Sequence, residues 1–349
     1  MILTDNMLAV AFQYRETKLW EILDDSSLFA FRLSDGEIGY CCVIGQAERN
    51  LSLGFYRGRK GFTSYLKLIK LSEDELHYSD RYELISSLDC TYCEFMQASK
   101  IDKETKTVIR NYVETHNLKL KRYKGWPSFI KLQPYSVSTN IIHEKDAEDI
   151  IEALHAAIAV AEKLKNNTPE ELGFDKEIEY PTMEGGKSVP YLIPNADGTY
   201  DWSTTELPAF LPEEYPAIEF ENTSLAKEVK KLKKQGKRQI KMIHFPASLC
   251  SEIYEEHYMP VFLFSMDVET DQINSIPFKE NSTPQRMLEI IANVLCEQGY
   301  KPDTIEVADD RTEAFLADFC KKCGMRLTRK KKFKELEEAC DYIFQGLDV

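Results

Sequence analysis

From Pro260 onward the chain alternates extended and helical patterns in a strict order, and that order leaves few folds open. Pro260–Asp267 is an apolar run of strand length, with Gln272–Phe278 its hairpin partner across a polar turn. Thr283–Glu297 carries apolar residues at helical spacing, and Gly299 stands just past its end, where a helix stop belongs. Thr304–Ala308 reads as a strand, Thr312–Cys323 as a helix stopped by Gly324, Arg326–Thr328 as a strand and Phe333–Gly346 as a closing helix. Parallel strands need a crossover, and a helix is the usual one. The region therefore predicts a partly parallel sheet with helices packed on it.

The first half follows a looser version of the same rule. Leu28–Arg32 and Ile38–Val43 flank Asp35-Gly36, a hairpin signal, and Leu51–Tyr56 reads as a third strand. Thr63–Leu71 is a helix, Thr91–Ala98 a strand, Lys103–His116 a helix, Pro127–Leu132 a strand and Glu144–Lys165 a long helix. Proline-rich sequence then runs from Thr168 to Pro216, and within it Val189–Ile193 and Thr199–Ser203 flank a second hairpin turn, Asn195-Ala196-Asp197-Gly198. Ala217–Phe220, a basic helix from Ser224, and Gln239–Phe245 read as strand, helix and strand. The expected class is mixed α/β (α+β), with two or more mixed sheets flanked by helices. Three segments are expected: an N-terminal α+β domain over 1–170, a proline-rich linker and middle β/α segment over 171–257 that packs on the C-terminal domain, and a C-terminal α/β domain over 258–349.

A chain of 349 residues buries enough surface to fold without a metal or disulfide staple. Its nine cysteines are an odd number, and no basic n-region or long apolar segment precedes them. Free thiols and a cytoplasmic location are the expectation. No apolar run has the length of a membrane span, so no membrane partner is expected. A net charge of −14 argues against general nucleic-acid binding, which needs a basic surface. The charge is uneven, however. Lys227–Lys241 holds eight basic residues and one acid, Glu228; Lys321–Lys334 holds eight basic residues and no acid. Each island reads either as a solvated helix face or as a surface for a partner protein.

Most catalytic patterns fail on spacing. Gly185-Gly186-Lys187-Ser188 lacks the phosphate-loop glycine five residues earlier, where Pro181 stands, and extended sequence follows it. Cys90-Thr91-Tyr92-Cys93 lies in a strand, where residues three apart face opposite ways and cannot share a metal. Cys320-Lys321-Lys322-Cys323 ends a helix whose apolar stripe includes both sulfurs, at the negative end of the dipole rather than the positive end that activates a thiol. His244, Cys250 and His257 share no ligand spacing. No metal site is expected.

The C-terminal order of elements resembles RNase H-like nucleases and transposase-integrases, shortened by one strand. That resemblance implies carboxylates on the first strand, at the end of the strand after the first helix, and on the last helix, together holding two Mg²⁺ or Mn²⁺ ions for phosphodiester cleavage. Asp267 late in the first expected strand, and Asp309 or Asp310 at the end of the later one, are the catalytic candidates it implies. Glu335, Glu338 and Asp341 are candidates on the last helix, while Gln345 stands nearest to the glutamate spacing of integrases. Asp310 with Glu313 also fits a capping box for the helix at Thr312.

Two longer stretches carry a second resemblance. Leu28-Phe29-Ala30-Phe31-Arg32-Leu33-Ser34-Asp35-Gly36-Glu37-Ile38-Gly39-Tyr40 resembles the start of a domain of unknown function found in bacterial proteins. Tyr258-Met259-Pro260, Gly299-Tyr300-Lys301-Pro302, Asp309-Asp310-Arg311 and Cys320-Lys321-Lys322-Cys323-Gly324-Met325 together resemble a second such domain, often its neighbour. These domains bring no catalytic residues with them. The expectation is a non-enzymatic interaction or regulatory protein without cofactor, with Lys230, Lys231, Lys233 and Lys234 as partner-binding candidates. A divalent-metal phosphodiesterase using Asp267 and Asp309 or Asp310 is the alternative, and a structural zinc protein the third reading.

Overall fold

The computed structural model describes residues 2–45, 51–73, 76–120, 124–175, 179–245, 259–278 and 282–345. It forms two compact units: one of Met1–Glu73, Ser87–Pro134 and Ser138–Leu211, the other of Asp74–Ser86, Tyr135–Val137 and Pro212–Val349. The chain thus leaves the first unit after Glu73, contributes a short segment to the second, and returns at Ser87.

In chain order the first unit holds α1 (Asp5–Thr17), β1 (Leu28–Arg32), β2 (Ile38–Ile44), β3 (Leu51–Arg57) and α2 (Gly58–Glu73). Next comes α3 (Tyr78–Ser86), which belongs to the second unit. β4 (Cys90–Met96), α4 (Lys103–Thr115), β5 (Trp126–Leu132), α5 (Glu144–Leu164), β6 (Ser188–Pro194) and β7 (Tyr200–Glu206) complete the first. Its seven strands lie in the order β5-β4-β3-β2-β1-β6-β7, antiparallel except for β1 beside β6. Successive side chains alternate between two cores. Phe29, Phe31, Cys41, Val43, Leu53 and Phe55 pack with α1 and α5, while Leu28, Ala30, Tyr40, Cys42 and Tyr56 pack with Phe62, Tyr65 and Leu66 of α2. Both faces are covered, which is why these strands read as unbroken apolar runs. Gly39 is required by this packing, because a Cβ there would stand 2.6 Å from the Phe31 ring and 2.7 Å from the Phe55 ring.

Two features differ from the sequence reading. α1 had no element assigned to it; Met7, Leu8, Val10, Ala11, Phe12 and Tyr14 are all buried, so apolar residues encircle much of the helix instead of marking a stripe. The β6–β7 hairpin, expected in the middle segment, joins the first sheet through β1, and the first compact unit runs through Leu211.

The second unit holds α3, α6 (Thr223–Lys231), β8 (Lys233–Lys234), β9 (Lys237–His244), β10 (Val261–Asp267), β11 (Ile273–Phe278), α7 (Pro284–Gln298), β12 (Tyr300–Lys301), β13 (Thr304–Val307), α8 (Asp310–Cys323), β14 (Arg326–Arg329) and α9 (Lys334–Gln345). Its main sheet has the order β11-β10-β9-β13-β14. β9, β10 and β11 form an antiparallel meander, and β13 and β14 run parallel to β9. β9, which the sequence reading placed as the strand Gln239–Phe245 of the middle segment, joins this sheet as its central strand. The first strand is therefore β9, and the expected first strand, β10, is the second. Ile240 and Met242 face the core formed with α6, α7 and α8, while Ile243, Phe264 and Met266 face Phe333, Leu336 and Cys340. Residues 217–220 form no strand. Ile218 N–H donates to the Ala314 carbonyl and Phe220 N–H to Asp318, so α8 takes the backbone bonds a ladder would have made.

Candidate functional site

The aspartates singled out by spacing do not meet. Asp267 pairs across the sheet with Arg238, and Arg238 in turn with Ile305, near the start of β13. Asp309 lies four residues beyond Ile305, so about 13 Å separates the two levels at ~3.3 Å per residue. Asp309, and not Asp310, caps α8: its carboxylate accepts from Thr312 N–H at 2.7 Å and from the Thr312 hydroxyl at 2.8 Å. Asp310 opens the helix and pairs with Arg329 at 2.9 Å. β9, the true first strand, carries Lys237, Arg238, Gln239 and Lys241 and no carboxylate. On α9, Asp341 accepts from Ser79 N–H at 3.1 Å and binds His77 Nδ1 at 2.7 Å. Glu335 and Glu338 are exposed. Among the described residues no three His, Cys, Asp or Glu side chains form a group able to hold a metal ion.

The lysine candidates do gather. Asn222 caps α6, whose Ala226 and Val229 face the core while Lys227, Lys230 and Lys231 point to solvent. The helix ends, and exposed Lys233 and Lys234 form β8, pairing in parallel with Tyr300 and Lys301. Beneath them Lys301 is 1 % exposed and donates to the carbonyls of Val229 (3.1 Å), Lys230 (2.6 Å) and Cys323 (2.7 Å). One ammonium thus caps the C-terminal ends of both α6 and α8, where the helix dipoles favour a cation. Burial pushes its pKa down, and the neighbouring charges of Lys234 and Lys230 add to that. Lys234 pairs with Asp303 at 3.0 Å, and among the described residues Lys230, Lys231 and Lys233 have no acidic partner. The second basic island is spent differently. Lys322 binds Asp318 and Glu219, Arg329 binds Asp310 and Glu313, and Lys330 binds Glu306.

A third group had no signal in the sequence, because it is assembled from four separate segments. At the end of β9, Glu83 of α3 accepts from His244 N–H at 2.9 Å through Oε2, while its Oε1 lies 2.7 Å from His244 Nδ1 and accepts from Arg311 Nη1 at 2.8 Å. The Tyr135 ring stacks on the imidazole with 3.5 Å between centroids. Arg311 also meets both ring nitrogens of His244, its Nη1 3.0 Å from Nδ1 and its Nη2 3.4 Å from Nε2. Burial pushes the His244 pKa below its ordinary value, and Arg311 reinforces this against the pull of Glu83. Burial alone would raise Glu83, but the His244 hydrogen bond and the charges of His244 and Arg311 hold its carboxyl below the usual range. One turn earlier on α3, Asp80 binds Lys241 of β9 at 2.6 Å. Burial acts to lower the Lys241 pKa, yet the Asp80 charge and hydrogen bond leave it raised. Arg311 also lines a cleft of about 220 Å³ with Tyr215, Ile218, Met242, Met287 and Phe315.

The remaining motifs are accounted for within each unit. Cys90 and Cys93 lie in opposite cores of the first sheet, and Cys320 and Cys323 are both buried in the core beneath α8. Burial raises the Cys90, Cys320 and Cys323 thiols to about 12. Lys187 of the glycine-rich stretch binds Asp175 and the Glu179 carbonyl. Cys250 and His257 lie outside the described residues, as does the side chain of Gln345.

Two mixed sheets flanked by helices, with the short β8–β12 pair beside the second carrying the basic rim, define a two-unit α/β protein. The chain belongs to the family described as Domain of unknown function (DUF7309), whose profile matches residues 5–180. Residues 225–344 match a second domain of unknown function, DUF6930. None of the curated proteins matches the chain. Among solved structures, it is similar to the HTLV-2 integrase catalytic core domain in complex with magnesium, at 14% identity over 33% of this chain and 70% of that one, with a TM-score of 0.24. The catalytic core domain of BIV integrase is similar at 10% identity over 32% of this chain and 64% of that one, with a TM-score of 0.21. No helix among the described residues is long and apolar enough to cross a membrane.

Proposed function

We propose that this is a non-enzymatic interaction protein whose second unit docks an acidic protein partner through Lys230, Lys231, Lys233 and Lys234. The observation that carries the reading is the convergence of these exposed lysines on the rim formed by α6 and β8, over the buried ammonium of Lys301. Like charges held together on a rigid surface raise the local potential and favour an anionic partner, an attraction that salt screens. An acidic decapeptide at low salt should bind, and replacing the four lysines with glutamate should weaken it at least tenfold, read by fluorescence anisotropy. Tighter binding of a single-stranded oligonucleotide of equal charge would turn the reading toward phosphate. Binding of neither would remove it.

The phosphodiesterase reading keeps one support, the RNase H-like strand order. Its candidates Asp267, Asp309 and Asp310 are tested by a thermal-shift titration with Mn²⁺ and Mg²⁺. A site at a hundred times its Kd stabilises the fold by about 2.7 kcal/mol. A shift lost in both Asp267→Asn and Asp310→Asn would restore the reading. The zinc reading asks buried cysteines to turn out of their cores, and metal analysis of the purified protein tests it.

A further inference from the structure

We propose that β7 is the interface for a second copy of this chain, whose own β7 pairs with it antiparallel about Ser203 and continues the first sheet across a two-fold axis. β7 is the last strand of that sheet, beyond β6. Its hydrogen-bond phase is fixed from both ends. Asn195 N–H donates to the Thr199 carbonyl at 2.8 Å and Leu207 N–H to the Lys187 carbonyl at 2.8 Å, while Pro190, which has no N–H, stands opposite Thr204. Bonded and non-bonded pairs alternate along an antiparallel ladder. Asp201, Ser203 and Thr205 therefore bond to β6, and Tyr200, Trp202, Thr204 and Glu206 turn their backbone N–H and C=O outward. Among the described residues nothing hydrogen-bonds to those outward groups.

The other sheet edges are blunted, and β7 is not. β5 carries Pro127, and its Lys131 N–H is taken by the Thr139 carbonyl. β11 carries Pro277, and β14 has four residues. β7 has seven residues with no proline and no lysine, and an open edge of that kind is a template for another strand. Its register favours its own copy. Two β7 strands laid antiparallel over their full length place Ser203 on the axis, Trp202 opposite Thr204 and Tyr200 opposite Glu206. Every outward residue then meets an outward residue, whereas a strand of even length would be out of phase with itself. Asp201 falls opposite Thr205, and neither Asp201 nor Glu206 faces an acid directly or on a diagonal, so like charges do not oppose the pairing. Tyr200 and Trp202, partly buried against the core beneath α5, gain Glu206 and Thr204 of the second copy as cross-strand neighbours, and a pair of aromatic and β-branched residues is favourable. This surface shares no residue with the lysine rim, so each stands or falls by its own test.

The test is analytical ultracentrifugation of the full chain, where a concentration-dependent dimer is expected. Thr204→Pro removes an outward N–H and spares the bonds to β6, so it should keep the circular dichroism spectrum while raising the dimer Kd roughly tenfold or more. Ser203→Cys should link two chains by a disulfide under mild oxidation, because a non-bonded antiparallel pair holds its Cα atoms about 4.5 Å apart. Thr205→Cys should not, since it faces Asp201 of the second copy and lies about 13 Å from its own mate at ~3.3 Å per residue. A dimer that Thr204→Pro leaves intact, or equal cross-linking by the two cysteine variants, overturns the proposal. So does a monomer at the highest soluble concentration, which would leave the edge to a strand of another protein. Should Thr204→Pro lose its fold, the two cysteine variants decide.

Discussion

His244 shows how neighbours choose a protonation state. Its pKa lies below the unfolded value of about 6.5, so as pH falls the unfolded chain takes up the proton first and stability is lost. Glu83, held low, adds a loss of the same sign below about pH 4.3. Both contributions are complete above neutral pH. The melting temperature should therefore fall between pH 7.5 and 5.5, and His244→Gln should flatten that slope, as differential scanning fluorimetry across the range would show. Gly39 makes a steric case. Gly39→Ala should cost about 1–3 kcal/mol in urea unfolding, because the Phe31 and Phe55 rings must move within a packed core. Of these two residues, His244 was visible in the sequence only as a scattered histidine sharing no ligand spacing with Cys250 and His257. Its partners Glu83 and Arg311 lie more than sixty residues to either side, and no local pattern links them.

Element boundaries followed local chemistry where a cap or turn residue was present. The hairpins at Asp35-Gly36 and Asp197-Gly198 formed as read, and Gly299 and Gly324 end α7 and α8 in the left-handed conformation. α3 went unread because its apolar content is too low to mark a period. Lys301 is the tie between elements that most repays a test. Lys301→Met keeps the length of the stem but leaves three buried carbonyls without a donor, and should cost about 2–4 kcal/mol. Chemical denaturation should show the loss as a shift in midpoint with an unchanged slope. A shift no larger than that of Lys231→Met, an exposed neighbour, would mean that the carbonyls find water instead.

For the chain as a whole, the return of residues 74–86 to the second unit carries a consequence. A fragment of residues 212–349 lacks α3, so Lys241, His244 and Arg311 lose the carboxylates that offset their burial. Its melting temperature should lie below that of the second unit in the full chain, and the His77–Ser86 peptide should restore part of the difference. The amino-acid sequence by itself determined the class of fold, most of the helices and strands, and the family, because periodicity, turn residues and caps act over a few neighbouring positions. Only the tertiary structure decided that β9 is the first strand of its sheet, that Asp267 and Asp309 lie at different ends of it, and that a helix from the first half of the chain supplies the acids facing Lys241 and Arg311. Strand order and ion pairing of this kind join residues far apart in the chain, and they are set by which surfaces can be buried together instead of by local pattern.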